Sequence, residues 1–316
     1  MKMNCKKTVL ALVQAAAILF FSMSAVAAQD LQRFEIWMDI LQKSTDGAFN
    51  GITAVENLKA NPKSRIAAFN LQALGLLYSK VDPQFTVLKK EFKKIEDGLG
   101  QIDKWNNIGN DKNKAKATKK FADQLEKEGW NKAGDNSKIG KIKKDLKQAL
   151  KSLPDSDSLL VAQLVKDLAF IDSTSFNFSI LETGNGLHEF RRQIRWFMIE
   201  SQVLNGLITF RNPSVSCGIT EYDELLSLPI AKSKYSSLTS NPALQKTCPI
   251  SQCYFVALSD AVEKLGALKD KAEMAIGNTT SDTTPPDLAK AAQEISDQIH
   301  ATRLLKILQS EIGMCL

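Results

Sequence analysis

Histidine is the scarcest chemical resource in this chain of 316 residues, where only His188 and His300 occur. A multi-histidine metal centre or a serine–histidine–aspartate site would have to be built around one of those two imidazoles. Neither sits in a His-Glu-x-x-His segment, and the chain has no Gly-x-Ser-x-Gly elbow, Walker loop or glycine-rich dinucleotide turn. No acidic cluster has a spacing suited to Mg²⁺. The chain therefore reads as non-enzymatic, with no cofactor and no metal. Arginine is scarce as well, with seven against thirty-four lysines. Basic residues are not interleaved with aromatics, so nucleic acid is not an expected partner.

What is present is ordinary globular material, 44% apolar and 24% charged. The N-terminus stands apart. Lys2, Lys6 and Lys7 form a basic start, Thr8 to Met23 is mostly apolar, and small residues follow through Ala28. That order predicts a signal peptide over 1–28, cleaved near Ala27 or Ala28. The mature chain is then exported, periplasmic or secreted, and has no later segment apolar enough to span a membrane.

Charge is unevenly spread. Residues 29–79 are neutral, 80–151 carry a net +8 built on nineteen lysines, and 152–316 carry a net −5. The lysine block, with Lys144 and Lys147 on one helical face, raises the local concentration of any anion.

Apolar residues recur at helical spacing, as in Leu31-Phe34-Met38-Leu41, and period-two alternation is scarce. This predicts an all-α fold of antiparallel helical bundles. Residues 105–137 read as a loose stretch with Phe121 and Leu125 as its one clear helical pair, and Gly98 and Gly100 read as interruptions. Single long helices are predicted over Leu187 to Phe210 and over Leu288 to Ile312, the latter in a hairpin with Tyr254 to Ile276. Four cysteines survive cleavage, Cys217, Cys248, Cys253 and Cys315. An even number in an exported chain reads as two disulfides, with three connectivities open. The hairpin geometry favours Cys253 with Cys315, leaving Cys217 with Cys248.

One segment concentrates chemistry. Three of the seven arginines lie within five residues, in His188-Glu189-Phe190-Arg191-Arg192-Gln193-Ile194-Arg195-Trp196. At about 100° per residue from His188, Arg191 falls near −60°, Arg192 near +40° and Arg195 near −20°, one stripe on one face. Phe190, Ile194 and Phe197 take the opposite side. Guanidinium forks match phosphate bidentately, so the stripe can grip an anion, with Arg191 and Arg195 on successive phosphates. Equally, carboxylates such as Glu189, Asp172 or Glu200 can pair with it and make it a purely structural feature of an exported scaffold or adaptor. Spacing leaves both open.

His188-x2-Arg191-x3-Arg195 resembles the signature of the CHAD family, the conserved histidine α-helical domain, over roughly residues 176–210. Trp196 stands where that family usually has a further arginine. His300-x2-Arg303-x2-Lys306 gives a weaker echo. The resemblance implies two pseudo-symmetric helical bundles around a basic groove, and a polyanion ligand, inorganic polyphosphate above all. Taken together, the arginine stripe, the resemblance with its echo and the lysine block set the expected polyanion ligands as His188, Arg191, Arg192, Arg195, Lys144, Lys147, His300 and Arg303. Charge and the resemblance together divide the mature chain into a lysine-rich helical region, 29–153, and a CHAD-like region, 154–316.

Overall fold

The computed structural model describes residues 28–153, 155–211, 216–239, 241, 244, 246–276 and 281–316. The expected signal peptide lies outside them, apart from Ala28. Twelve α-helices, three short 3₁₀ helices and two short strands make up the described regular structure, an all-α fold. Contacts divide the chain into two compact units, one ending at Ser156 and the other spanning Asp157–Leu316.

In the first unit, residues 28–45 form α1, followed by α2 (Gly51–Ala60), α3 (Ser64–Val81), α4 (Thr86–Asn107), α5 (Asp111–Glu128) and α6 (Lys138–Leu150). Its core gathers Phe34, Met38, Leu74, Tyr78, Phe92 and Trp130, all nearly solvent-free. One charged pair sits inside it. Arg33 and Asp30 are each 1% exposed, with Nη1 2.7 Å from Oδ1, and the Tyr78 hydroxyl donates to the same oxygen at 2.7 Å. Burial pushes the Tyr78 phenol well above its ordinary value, although Arg33 pulls the other way.

Two expectations fail here, for one reason. Helix α4 runs through Gly98 and Gly100, and α5 is a full helix rather than a loose stretch. A Cβ on Gly98 would lie 2.4 Å from the Phe121 ring, so this glycine makes room for that ring instead of ending the helix. Glycine in a helix costs about 1 kcal/mol. Burying a phenylalanine returns roughly 1.5–3 kcal/mol. Asn110 caps α5 by accepting from the Asn113 amide at 3.0 Å, and Gly129 closes it with a φ of 78°.

The second unit holds α7 (Ser156–Ser173), α8 (Leu187–Val203), α9 (Thr220–Leu225), α10 (Gln252–Ile276), α11 (Pro286–Ala301) and α12 (Leu304–Gly313). Strands β1 (Ile208–Phe210) and β2 (Cys248–Ile250) pair in parallel, Thr209 opposite Pro249. The expected helix to Phe210 thus stops at Val203. Asn205 and Gly206 both take positive φ and turn the chain into β1. The expected helix to Ile312 also divides, because Arg303 sits at φ 57° between α11 and α12.

That break redirects the C-terminus, and the disulfides follow. Cys217 joins Cys253 and Cys248 joins Cys315, with Cα separations of 6.2 and 5.6 Å. The expected Cys253–Cys315 bridge is therefore incorrect: α12 docks beside β2, carrying Cys315 to Cys248 rather than to the start of α10. Among the described residues no helix is long and apolar enough to cross a membrane.

Candidate functional site

Helix α8 is amphipathic in its first half only. Phe190 and Ile194 are fully buried, and from Phe197 to Ser201 the helix is buried all round. The arginine stripe therefore lies on its N-terminal half, and each member has a distinct setting.

Arg191 lies against α10. Its Nε–H donates to the Val262 carbonyl at 3.1 Å. A Cβ on Gly266 would fall 2.9 Å from Nε and Nη2, so any larger residue there would displace the guanidinium. Arg192 is 47% exposed and paired with Glu189, one turn back, which also accepts from Gln193. Arg195 stacks near Trp196, with Cζ 5.9 Å from the ring centroid.

His188 faces Glu182, Nδ1 to Oε2 3.1 Å. Lys269 approaches the same carboxylate at 3.9 Å and holds Glu273 at 2.6 Å. The loop bearing Glu182 is pinned by Asp282, whose side chain accepts from the amides of Glu182 and Thr183 and from the Thr183 hydroxyl. Those bonds, the Thr183 hydroxyl first, hold the Asp282 carboxyl below its ordinary range. The result is an alternating patch in which carboxylates are interleaved with cations.

Burial lowers the His188 pKa, and Lys269 and Arg195 add to the lowering while Glu182 opposes it. The sign follows directly. The fold favours neutral His188, so stability is full above about 6.5, the unfolded value, and declines as pH falls toward the lower folded value. Thermal melts of wild type should show a decline in melting temperature between about pH 7 and 5, and His188→Gln should flatten it. An identical decline in the variant would remove His188 as its source.

The remaining expected residues are dispersed. His300, at the end of α11, is exposed and its Nδ1–H donates to the Ser296 carbonyl at 2.8 Å. Arg303 is the exposed residue at the helix break, and Lys306 on α12 approaches Asp172 at 3.7 Å. The echo motif thus straddles a break and presents no single helical face. Lys144 and Lys147 are exposed on α6 in the first unit, Lys147 3.8 Å from Glu35.

Sequence reasoning did not find Glu182, Gly266, Lys269 or Glu273. Gly266 meets Arg191 from α10 and Glu182 meets His188 from the preceding loop, while Lys269 and Glu273 join through Glu182, contacts that helical spacing does not give. Cys217, Asp223 and Cys253 also converge. Both sulfurs are joined in the disulfide, and Asp223 accepts from the Cys217 amide at 2.8 Å. No family model, curated protein or solved structure matches the chain.

Proposed function

We propose that the chain is an exported, non-enzymatic helical protein that binds a polyanion, with inorganic polyphosphate the leading ligand. In this reading the arginine stripe is a clasp between α8 and α10, and capture belongs to the lysines of the first unit. The observation that carries it is Arg191, whose guanidinium is engaged by the Val262 carbonyl and fitted over Gly266. With Nε–H given to the carbonyl, the Nε/Nη2 edge of the guanidinium is closed to a bidentate phosphate. Net charge supports the other half, since residues 80–151 carry the +8 while the unit with the arginines is acidic. Export is supported by the leader-like N-terminus and by two disulfides, which persist in oxidising compartments. The resemblance to CHAD proteins supports the choice of ligand class.

Arg191→Ala should cost about 1–3 kcal/mol of stability, because the charged side-chain hydrogen bond that ties α8 to the Val262 carbonyl of α10 is lost. Its affinity for long-chain polyphosphate, measured by calorimetry, should stay within about twofold of wild type. A tenfold loss of affinity at unchanged stability would return the stripe to the role of ligand contact. If wild type binds no polyphosphate at all, the polyanion reading falls and an exported adaptor remains.

A further inference from the structure

Helix α5 carries a second stripe, in which lysine is the only cation. Taking Lys112 as zero at about 100° per residue, Lys116 falls near 40°, Lys119 near −20°, Lys120 near 80° and Lys127 near 60°. All five side chains are exposed, and none pairs with a carboxylate among the described residues. The opposite face, Phe121, Ala122 and Leu125, is buried in the first unit, so the helix cannot turn its apolar side to a membrane. Some lysines elsewhere in the same unit are neutralised: Lys94 meets Glu91 and Glu128, Lys138 meets Glu91, and Lys143 meets Asp39. The acids at the C-terminal end of α5 point to other duties. Glu126 accepts from the Gly51 amide at 3.1 Å and Glu128 accepts from the Trp130 indole at 3.1 Å.

We propose that this stripe is a docking track for an extended, flexible polyanion, a site that rests on the polyanion reading above. From Lys112 to Lys127 the track is about 22 Å long at 1.5 Å per residue. Its charges are unevenly spaced along the axis, by gaps of four, three, one and seven residues. A chain with closely spaced charges and free torsions can satisfy all five, whereas a compact anion reaches two or three. Lysine supplies hydrated point charges without a planar fork, so the track reads charge density rather than one group's shape. Binding gains its strength by summing weak contacts, and each addition of salt removes several at once.

Asp123 marks the track's position. It is exposed at about 20° on the same arc, one turn from Lys119, Lys120 and Lys127, and pairs with no cation among the described residues. A carboxylate in mid-track repels the ligand the lysines attract.

The test uses full mature protein and four probes: long-chain polyphosphate, tripolyphosphate, inositol hexakisphosphate and orthophosphate. Long-chain polyphosphate should bind tightest. Its affinity should fall about a hundredfold between roughly 50 and 200 mM salt, as expected for release of counterions from about five contacts. Replacing all five lysines by Gln should weaken it at least about tenfold while circular dichroism stays unchanged, and Asp123→Asn should strengthen it about two- to fivefold. Inositol hexakisphosphate binding as tightly as the long chain overturns the track. So does polyphosphate binding that survives the five-lysine replacement or ignores Asp123→Asn, although the polyanion reading would then stand with its contact elsewhere. No binding of any probe to wild type defeats both.

Discussion

Arg33→Ala is expected to destabilise the first unit by about 3–5 kcal/mol, the cost of leaving a buried charge without its partner. Asp30 and Arg33 are both 1% exposed, and their contact at 2.7 Å is completed by the Tyr78 hydroxyl. Truncating the guanidinium strands a carboxylate in a site with almost no access to water. The attraction itself contributes little net, because both ions are desolvated in forming it. A double replacement, Asp30→Leu with Arg33→Met, should accordingly cost far less than the single one. Urea titration followed by tryptophan fluorescence checks both, since Trp130 lies in the same unit's core. A loss below about 1 kcal/mol for Arg33→Ala would mean that water or a local rearrangement solvates Asp30. Tyr78 adds a boundary at the other end of the pH scale. Its pKa is raised by burial, so its contribution is complete below about 10 and is lost as pH rises through the higher folded value.

The second large effect is expected from Cys248→Ala with Cys315→Ala, which should cost about 2–5 kcal/mol. This bridge spans 67 positions, against 36 for Cys217–Cys253, so it restrains the longer stretch of unfolded chain. The fold at the junction should survive its loss. Glu311 accepts from the Ser251 amide at 2.9 Å and lies 3.4 Å from Arg211, which keeps α12 beside β2. Thermal melts with and without reductant give the magnitude, and peptide mapping of unreduced protein gives the pairing. A Cys253–Cys315 peptide would contradict the break at Arg303 on which the pairing depends.

Helical class was legible because the apolar period extends through both units. Leu31, Phe34, Met38 and Leu41 mark α1, and the prolines at 62 and 83 bracket α3. The failures have a common physical origin. Gly98 looks like an interruption until Phe121 is placed over it, and Phe121 comes from another helix. Arg303 looks like the middle of a helix, and a left-handed arginine leaves no trace in the apolar pattern. Strands of three residues are too short to show alternation, so β1 was hidden in the end of a helical run.

The arginine cluster was equally visible, and its meaning was not. Spacing places Arg191, Arg192 and Arg195 on one face of the segment that forms α8. Whether that face meets an anion or another helix depends on Val262 and Gly266, some seventy residues away. The lysine block announced itself through net charge, but the contrast between paired Lys94 and the unpaired α5 stripe depends on where Glu91 and Glu128 fold.

Hydrogen–deuterium exchange with and without long-chain polyphosphate tests the central claim most directly, because it reads where the ligand sits without altering the chain. The account predicts added protection in peptides covering 111–128 and none in peptides covering 187–203. Protection over 187–203 with none over 111–128 would contradict it, and would make the arginine stripe the binding face.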